Sequence, residues 1–230
     1  RLPQKYWYEY VSGKYQRPKD SEAFGTGDMV HTLLLEPQLF DERYYMRPEL
    51  EKLPPEVRMK DVGKEQFEQV KAARKAVQDK NKDIIEEYGS PEGRTIISAN
   101  QFAHVRAMVD SLEGQEIVRQ IVSQHAKVEQ SIFWVDEETG ILCKARPDVW
   151  NNPLCGDLKT TEDASYRAFQ YSAMKYGYFV QAAMIYEALK SIGEAYEKFI
   201  FMCVEKKLPH AVGLYLLDDE ALQFGLDLFH

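Results

Sequence analysis

The chain has 230 residues, of which 44% are hydrophobic and 29% are charged, and its formal net charge is −8. This composition suits a single α/β domain with a sizeable core. No apolar run approaches the roughly 18 residues that a membrane-spanning helix needs, and no signal peptide is visible. The acidic balance argues against nonspecific nucleic-acid binding through overall charge, although it leaves room for a local basic groove.

Three cysteines lie in apolar runs without a Cys-x-x-Cys spacing, at Cys143, Cys155 and Cys203. Their odd number and strand positions indicate reduced, buried thiols of a cytoplasmic protein, and they argue against a zinc site. The chain begins with Arg1 rather than Met and stops within an apparent helix. We therefore expect further segments at both ends.

The N-terminal part is expected to be mainly helical, to about residue 125. Residues 1–20 are rich in aromatic side chains and form either a short helix packed on the body or a surface that contacts DNA or a neighbouring subunit. Gly25 and Gly27 predict a tight entry into a helix that Pro37 ends and that carries His31. A lone His on an apolar helix is more often a core residue than a ligand.

Two further helices follow a proline-punctuated loop. Residues 57–88 are strongly charged, with sparse apolar residues at helical spacing, which predicts a long exposed helix. Its lysines and arginines form either a solvated face or a track for the DNA backbone. Ser98 is a predicted N-cap for a helix over residues 99–112, and a short helix reaches Ser123.

An antiparallel meander of three strands is predicted next. Residues 127–135 alternate between apolar and polar positions, and Asp136 to Gly140 forms a turn. Residues 142–150 form the second strand and residues 154–160 the third, joined by the turn Asn151-Asn152-Pro153. A single helix over residues 169–191, a buried strand over 197–205, an edge strand over 210–217 and a helix from 218 complete the chain.

The second hairpin concentrates charge. It brings Asp148, at the end of one strand, close to Asp157 in the next, and Lys159 shares a face with Asp157 because side chains on a strand alternate. Two close carboxylates are unfavourable unless a cation neutralises them, and hard oxygen ligands favour magnesium or manganese. Lys159 would orient a water or hold a phosphate.

An exposed hairpin with a salt bridge is the alternative. Glu129, on the first strand, faces either this cluster or solvent.

The pattern Pro147-Asp148 followed by Asp157-Leu158-Lys159 resembles the PD-(D/E)xK nuclease superfamily. Gly27-Asp-Met-Val-His31 resembles the Gly-x-x-x-His element of its RecB-type members, and this resemblance implies that His31 is a metal ligand. The order of helical region, meander, helix and strand is similar to the αβββαβ core of that superfamily. We therefore expect an α/β nuclease core with a central mixed sheet and an N-terminal helical elaboration, as one domain over residues 1–230.

Three segments together resemble the C-terminal nuclease domain of RecE-like exonucleases (exonuclease VIII), namely residues 26–37, 131–148 and 157–161. The likeness implies digestion of linear double-stranded DNA from 5′ to 3′, which leaves a 3′ single-stranded overhang for recombination. It also implies a homo-oligomeric ring, a tetramer, a single-strand annealing recombinase of the RecT type as partner, and a bacterial or phage-encoded protein similar in role to lambda exonuclease.

The site expected from these patterns has two Mg²⁺ ions, for which Mn²⁺ is a possible substitute. The metal ligands are His31, Asp148, Asp157 and the backbone carbonyl of Leu158, with a second ion shared through the carboxylates. Lys159 orients or helps deprotonate the attacking water. The resemblance further implies that Gln181 helps the site to engage DNA. Supporting candidates are Glu129, Arg146, Tyr178 and Tyr186.

Several alternatives remain open at this stage. One is a nuclease of the same fold with a different use, either an endonuclease or a RecB-like module in a helicase complex. Another is a non-catalytic DNA-binding or ring-forming protein with a decayed site, against which the intact set His31, Asp148, Asp157 and Lys159 argues. A hydrolase of another phosphodiester is a third possibility.

Overall fold

A computed structural model describes residues 22–229, so the aromatic N-terminal stretch of residues 1–20 lies outside the described residues. The N-terminal part is mainly helical. Its elements are α1 (Glu22–Leu35), a 3-10 turn (Pro37–Leu39), α2 (Phe40–Arg43), β1 (Tyr44–Met46), α3 (Met59–Val62), α4 (Lys64–Tyr88), β2 (Thr95–Ile97), α5 (Ala99–Glu113) and α6 (Glu116–Ile121).

The C-terminal part holds the central sheet and its flanking helices. Its elements are β3 (Lys127–Val128), β4 (Ile132–Val135), β5 (Leu142–Ala145), β6 (Val149–Asn151), β7 (Leu154–Thr161), α7 (Tyr166–Tyr176), α8 (Tyr178–Ser191), β8 (Lys198–Glu205), β9 (Val212–Leu216) and α9 (Asp219–Phe229). No helix among the described residues is long and apolar enough to cross a membrane.

Five strands form a mixed sheet in the order β3-β6-β7-β8-β9. The two longest strands, β7 and β8, pair in parallel from Leu154 and Lys198 to Thr161 and Glu205, and the other pairings are antiparallel. The predicted α/β fold with a central mixed sheet is therefore confirmed. Smaller two-stranded sheets join β1 to β2 in parallel and β4 to β5 in antiparallel fashion.

The predicted meander is wrong in one respect, because its first two strands are each interrupted. The first breaks at Glu129, whose φ of 50° lies in the left-handed region and ends regular pairing. The second breaks at Arg146-Pro147-Asp148, where Pro147 has no N–H to donate to a ladder. The hairpin of β4 and β5 thus leaves the central sheet, while Glu129 N–H donates to the Asp148 carbonyl at 3.0 Å. Both acidic residues therefore lie in irregular backbone beside β7.

Three helix predictions need correction. The exposed helix predicted over residues 57–88 begins at Met59 and is divided at Gly63, whose φ of 79° separates α3 from α4. The helix predicted over residues 169–191 is divided at Gly177, whose φ of 70° ends α7 before α8 begins. Gly25 and Gly27 lie inside α1 rather than at its entry. A Cβ on Gly27 would lie 3.1 Å from Thr160 Oγ1, so the glycine allows α1 to approach β7 closely.

Other local predictions are confirmed. Ser98 begins α5 with a capping box, in which its hydroxyl accepts from the N–H of Gln101 and the Gln101 side chain accepts from the N–H of Ser98. Helix α4 has no buried residue, as its charge pattern predicts. The three cysteines are free thiols, and Cys155 and Cys203 are buried as predicted, whereas Cys143 is only partly buried and the prediction is wrong for it.

The sheet is covered on both faces by apolar side chains. Alternate residues of β8 enter two separate core clusters, which explains its continuous apolar run. Ile200, Met202 and Val204 pack in the cluster with α1, α5 and α6. Phe199, Phe201 and Cys203 pack in the cluster with α8. This packing holds β7, next to β8, rigidly between helices.

Two glycine substitutions test this packing. Gly225 of α9 is buried, and a Cβ there would collide with the carbonyl oxygen of Phe179 on α8, so we expect Gly225→Ala to destabilise the protein by about 1–3 kcal/mol. Gly25 lies within α1 and has no described atom within 4 Å of the site of a Cβ, so Gly25→Ala is the matched control and should stabilise by about 0.5–1 kcal/mol. Urea unfolding measures both. Equal effects of the two substitutions would contradict the close packing of α8 and α9.

Candidate active site

His31 is placed by the close approach of α1 to the edge of β7. It lies one helical turn after Gly27, on the same side of α1. Its Nε2 atom is 3.0 Å from the carbonyl oxygen of Leu158, and the side chain is 27% exposed. The expectation that His31 and the Leu158 carbonyl lie together at the site agrees with this geometry.

Asp148 and Glu129 lie next to His31 because the break between β3 and β4 and the break between β5 and β6 both lie beside it. Asp148 Oδ2 accepts a hydrogen bond from the N–H of Leu158 at 2.7 Å and is 3.8 Å from His31 Nδ1. Glu129 Oε1 is also 3.8 Å from His31 Nδ1, while its other oxygen pairs with Arg146. The potential ligand atoms of His31, Glu129 and Asp148 all lie within 4.8 Å of one another. Glu129 therefore faces the site and not bulk solvent.

Asp157 lies deeper, in the middle of β7, and is fully buried. Its Oδ1 atom accepts from Gln181 Nε2 at 2.7 Å, and its Oδ2 atom is ion-paired with Lys159 Nζ but has no hydrogen bond of regular geometry. Gln181 Oε1 in turn accepts from Lys159 Nζ at 3.3 Å. The amide of Gln181 thus holds both charged side chains. Asp157 is not part of the three-residue ligand group, and its expected role as a ligand stays a prediction.

The remaining candidates are placed as follows. Lys159 Nζ lies 4.9 Å from the ring centroid of Tyr178, so Tyr178 borders the site through this cation–π contact. Arg146 is half exposed and contacts Glu129. Tyr186 instead packs edge-on against Tyr196, with 5.3 Å between centroids, in the core cluster under α8. Tyr186 was expected to support the site, but its described contact is with Tyr196 and not with another candidate residue.

Burial and charge together control protonation in the site. Burial, followed by the neighbouring Asp157 carboxylate, raises the pKa of Asp148 to about 7. Burial alone would lower the pKa of His31, but its contacts with Glu129, Asp148 and Asp157 outweigh burial and raise it. Burial likewise opposes the charge on Lys159, yet Asp157 outweighs it and raises the pKa of the ammonium group. For Glu129, burial is outweighed by His31 and Arg146, which lower the pKa.

The chemistry of these donors fits a divalent cation. Oxygen atoms of Glu129, Asp148 and the Leu158 carbonyl surround the imidazole of His31, and hard oxygen donors suit Mg²⁺ or Mn²⁺. Burial and the Asp157 carboxylate raise the pKa of Asp148 by more than His31 and Lys159 lower it. A cation held by these residues would supply further positive charge.

A cavity of about 570 Å³ opens over this group, and part of its wall is basic. Arg43 donates to Thr32 Oγ1 at 3.0 Å and to Glu36 at 2.9 Å, which fixes the guanidinium beside the cavity. Lys206 follows β8, the parallel neighbour of β7, and also lines the cavity. The sequence reasoning missed both residues. A basic residue directly after the strand that pairs with β7 was a usable signal for Lys206, whereas Arg43 had none.

The raised pKa of Asp148 predicts a pH-dependent stability of the metal-free protein. The folded state retains a proton between about pH 4 and 7 that the unfolded chain releases, so stability falls as the pH rises through this window. Asp148→Asn cannot ionise and still accepts from Leu158, so we expect it to be more stable than the wild type at pH 8 by up to about 4 kcal/mol, at about 1.4 kcal/mol per pH unit. The two proteins should be similar near pH 4.

Thermal and urea unfolding in EDTA at several pH values measures this difference, with the exposed Asp83→Asn as control. Added Mg²⁺ should then stabilise the wild type more than Asp148→Asn, because binding to the folded state alone raises stability. A wild type that is no less stable at pH 8 than Asp148→Asn would contradict the electrostatic account.

Comparisons with known proteins show the family and the fold of the chain. Residues 4–230 match the family described as "PDDEXK-like domain of unknown function (DUF3799)". The crystal structure of a protein provisionally named an exonuclease, from Eubacterium rectale, is similar with a TM-score of 0.55 at 14% identity, over 98% of this chain and 69% of that one. That likeness shows the fold.

A second solved structure, SSO0001, has a TM-score of 0.32 at 15% identity over 87% of this chain and 82% of that one, which is too distant to carry an argument. No curated protein matches the chain.

Proposed function

We propose, since the chain belongs to the PDDEXK-like domain family (DUF3799), that it is a divalent-metal-dependent exodeoxyribonuclease acting on linear double-stranded DNA from 5′ to 3′. The observation that carries the nuclease assignment is that Asp148 and Lys159 line one cavity while Asp157, buried behind it, is ion-paired with Lys159. These three side chains form the Pro-Asp and Asp-x-Lys pattern in space as well as in sequence. His31 and Glu129 add donors beside them.

A divalent cation would supply the main catalytic charge. His31, Glu129, Asp148 and the Leu158 carbonyl are the groups that would hold it, with Mg²⁺ as the natural ion and Mn²⁺ as a substitute. Asp157 and a second Mg²⁺ ion belong to the same proposal. When bound, such ions lower the pKa of a water and neutralise charge that develops on the phosphate.

Lys159 acts in this proposal as a cationic donor. Its raised pKa keeps the ammonium group protonated at neutral pH, so it is suited to hold a phosphate oxygen or orient a water rather than to remove a proton. Gln181 prevents the ammonium group from turning away, because the same amide also binds Asp157. Tyr178 covers the remaining side of the ammonium group.

The basic wall of the cavity supports a phosphodiester substrate. Arg43, Arg146 and Lys206 border the cavity that holds the candidate metal ligands, although the whole chain is acidic. A nucleic-acid backbone carries the complementary charge, and its attraction to such side chains depends on salt. The three basic side chains could therefore bind a nucleic-acid backbone locally, even though the net charge of the chain is −8.

The finer assignment rests on sequence resemblance and a fold neighbour. The RecE-like segments lie on α1 and on the stretch from β4 to β7, which together carry His31, Asp148 and Asp157. The structure from Eubacterium rectale is provisionally named an exonuclease. On the same resemblance we propose a homo-oligomeric ring, a tetramer, and a RecT-type annealing recombinase as partner.

An end-labelling assay tests the reaction and its direction. We expect Mg²⁺-dependent release of label from the 5′ end of a linear duplex, later release from the 3′ end, no cutting of a covalently closed circle, and no reaction in EDTA. Cutting of the circle would make the protein an endonuclease. Absence of cleavage with both Mg²⁺ and Mn²⁺ would leave DNA binding without catalysis.

Substitutions of the buried pair test the assignment of the residues. We expect Asp157→Asn and Lys159→Gln to lower kcat by roughly 10²–10³-fold or more, because the first removes the carboxylate that holds Lys159 and the second removes the cation proposed to act on the phosphate. Both replacements are polar and of similar size, which limits disturbance of the Gln181 contacts. Lys144→Ala, on the β4–β5 hairpin, is the matched control and should leave the rate unchanged. Activity within threefold of wild type, in a folded Lys159→Gln protein, would refute the role of Lys159.

A further inference from the structure

A second cavity, of about 310 Å³, adjoins the catalytic cavity. The two cavities share Lys159, Thr160 and Lys206 in their walls, so they meet at the catalytic lysine. In contrast to the first, the second cavity has aromatic residues in its wall, namely Phe169, Tyr176 and Tyr178. A ligand that extends from the metal site past Lys159 therefore reaches aromatic rings.

A continuous series of ring contacts leads from this point to the surface of α7. Tyr178, which contacts Lys159, stacks on Tyr176 with 5.9 Å between centroids and an interplanar angle of 24°. Lys175 Nζ lies 5.2 Å from the Tyr176 ring and 5.8 Å from the Tyr171 ring. We call Tyr171, Tyr176 and Tyr178, with Lys175, the tyrosine platform.

The outer part of the platform is unusually exposed for aromatic side chains. Tyr171 is 67% exposed and Tyr176 is 61% exposed, and α7 has no buried residue. The helix is nevertheless held in place, because Phe169 stacks on Tyr215 with 4.1 Å between centroids and an angle of 8°. Large rings held open to solvent on an anchored helix are typical of a contact surface.

The charges around the second cavity favour an anionic, ring-bearing ligand. Lys159, Lys175 and Lys206 contribute positive charge and Lys207 adjoins them, while the charge of Lys159 is shared with the buried Asp157. Two acidic residues are also present, but Glu162 is paired with Lys206 at 3.8 Å and with Lys207 at 3.2 Å. The other, Asp163, accepts from the N–H of Ser165 at 2.7 Å at the start of α7. Stacking rings beside lysines are the means by which proteins bind unpaired nucleotides without sequence preference.

We propose that the tyrosine platform binds an unpaired nucleic-acid strand by base stacking, continuous with the catalytic cavity. The inference rests on the proposed function, because it assigns the path of one strand at the same site. A base-paired duplex keeps its bases stacked on each other and offers no free ring faces at its sides. The platform therefore selects a strand that has separated from its complement near Lys159.

Binding without metal tests the platform separately from catalysis. The probe is a fluorescent single-stranded DNA of about 12 nucleotides, within the roughly 4–16 nucleotides that such sites cover, and a blunt duplex of the same sequence is measured in parallel by anisotropy in EDTA. We expect the double variant Tyr171→Ala/Tyr176→Ala to bind the single strand about tenfold or more weakly and the duplex less than twofold more weakly, because each ring removed is a stacking surface for a base.

Two controls separate stacking from a general loss of structure. Tyr171→Phe/Tyr176→Phe keeps both rings and should bind the single strand like the wild type. Tyr88→Ala removes a tyrosine that is 51% exposed at the end of α4 and should have no effect. Circular dichroism and thermal unfolding of each variant verify that it keeps the helix content and stability of the wild type.

Four outcomes would overturn the inference: absence of single-strand binding by the wild type, unchanged binding by the double alanine variant, an equal loss for duplex and single strand, or an equal loss in Tyr88→Ala. A protein that cleaves DNA but shows one of these outcomes would retain the proposed function and lose the platform. A protein that does not cleave DNA but loses single-strand binding only in the alanine variant would retain the platform and lose the nuclease assignment.

Discussion

The backbone of Leu158 joins the parts of the site, and the rest of the arrangement depends on it. Strand β6 begins at Val149, which pairs with Gly156 of β7, so β6 does not reach Leu158 and leaves its N–H available to Asp148 and its carbonyl to His31. The Leu158 side chain is buried in the core against the N-terminal helices. One residue thus fixes a carboxylate from the segment just before β6 and an imidazole from α1 to the same point of β7. A longer β6 would use these backbone groups for sheet pairing.

The buried charges explain why this point is suited to a cation. Asp148 and Asp157 are both withdrawn from water, and a single ammonium group, that of Lys159, is shared by hydrogen bonds with Gln181 and an ion pair with Asp157. Burying a charged side chain costs free energy unless an opposite charge or a hydrogen bond lies nearby. The attraction between opposite charges is also stronger in the buried site than in water. The same lysine also marks the boundary between the metal-binding cavity and the aromatic cavity. Lys159 would therefore take part both in the proposed reaction and in the proposed binding of the unpaired strand.

Several parts of the site were predictable because they depend on short-range patterns. Asp157 and Lys159 are two residues apart on one strand, and alternation alone brings them together. Asp148 reaches them through a short turn, and the resemblance of Gly27-Asp-Met-Val-His31 to the Gly-x-x-x-His element of RecB-type nucleases implies that His31 belongs to the same site. Glu129 was undecided because its orientation depends on strand register, and its left-handed backbone carries no clear signal in the sequence. The break at Gly177 was missed because apolar spacing continues across it.

By itself the sequence determined the fold class, the order of helices and strands, and the identity of the charged residues that converge, since hydrophobic periodicity, turn residues and motif spacing act over a few positions. Only the tertiary structure decided that Glu129 rather than Asp157 completes the group around His31, that Arg43 and Lys206 border the cavity, and that the tyrosines of α7 continue from Lys159. These relations join segments far apart in the chain. Their distances follow from how helices pack on both faces of the sheet, which no local pattern specifies.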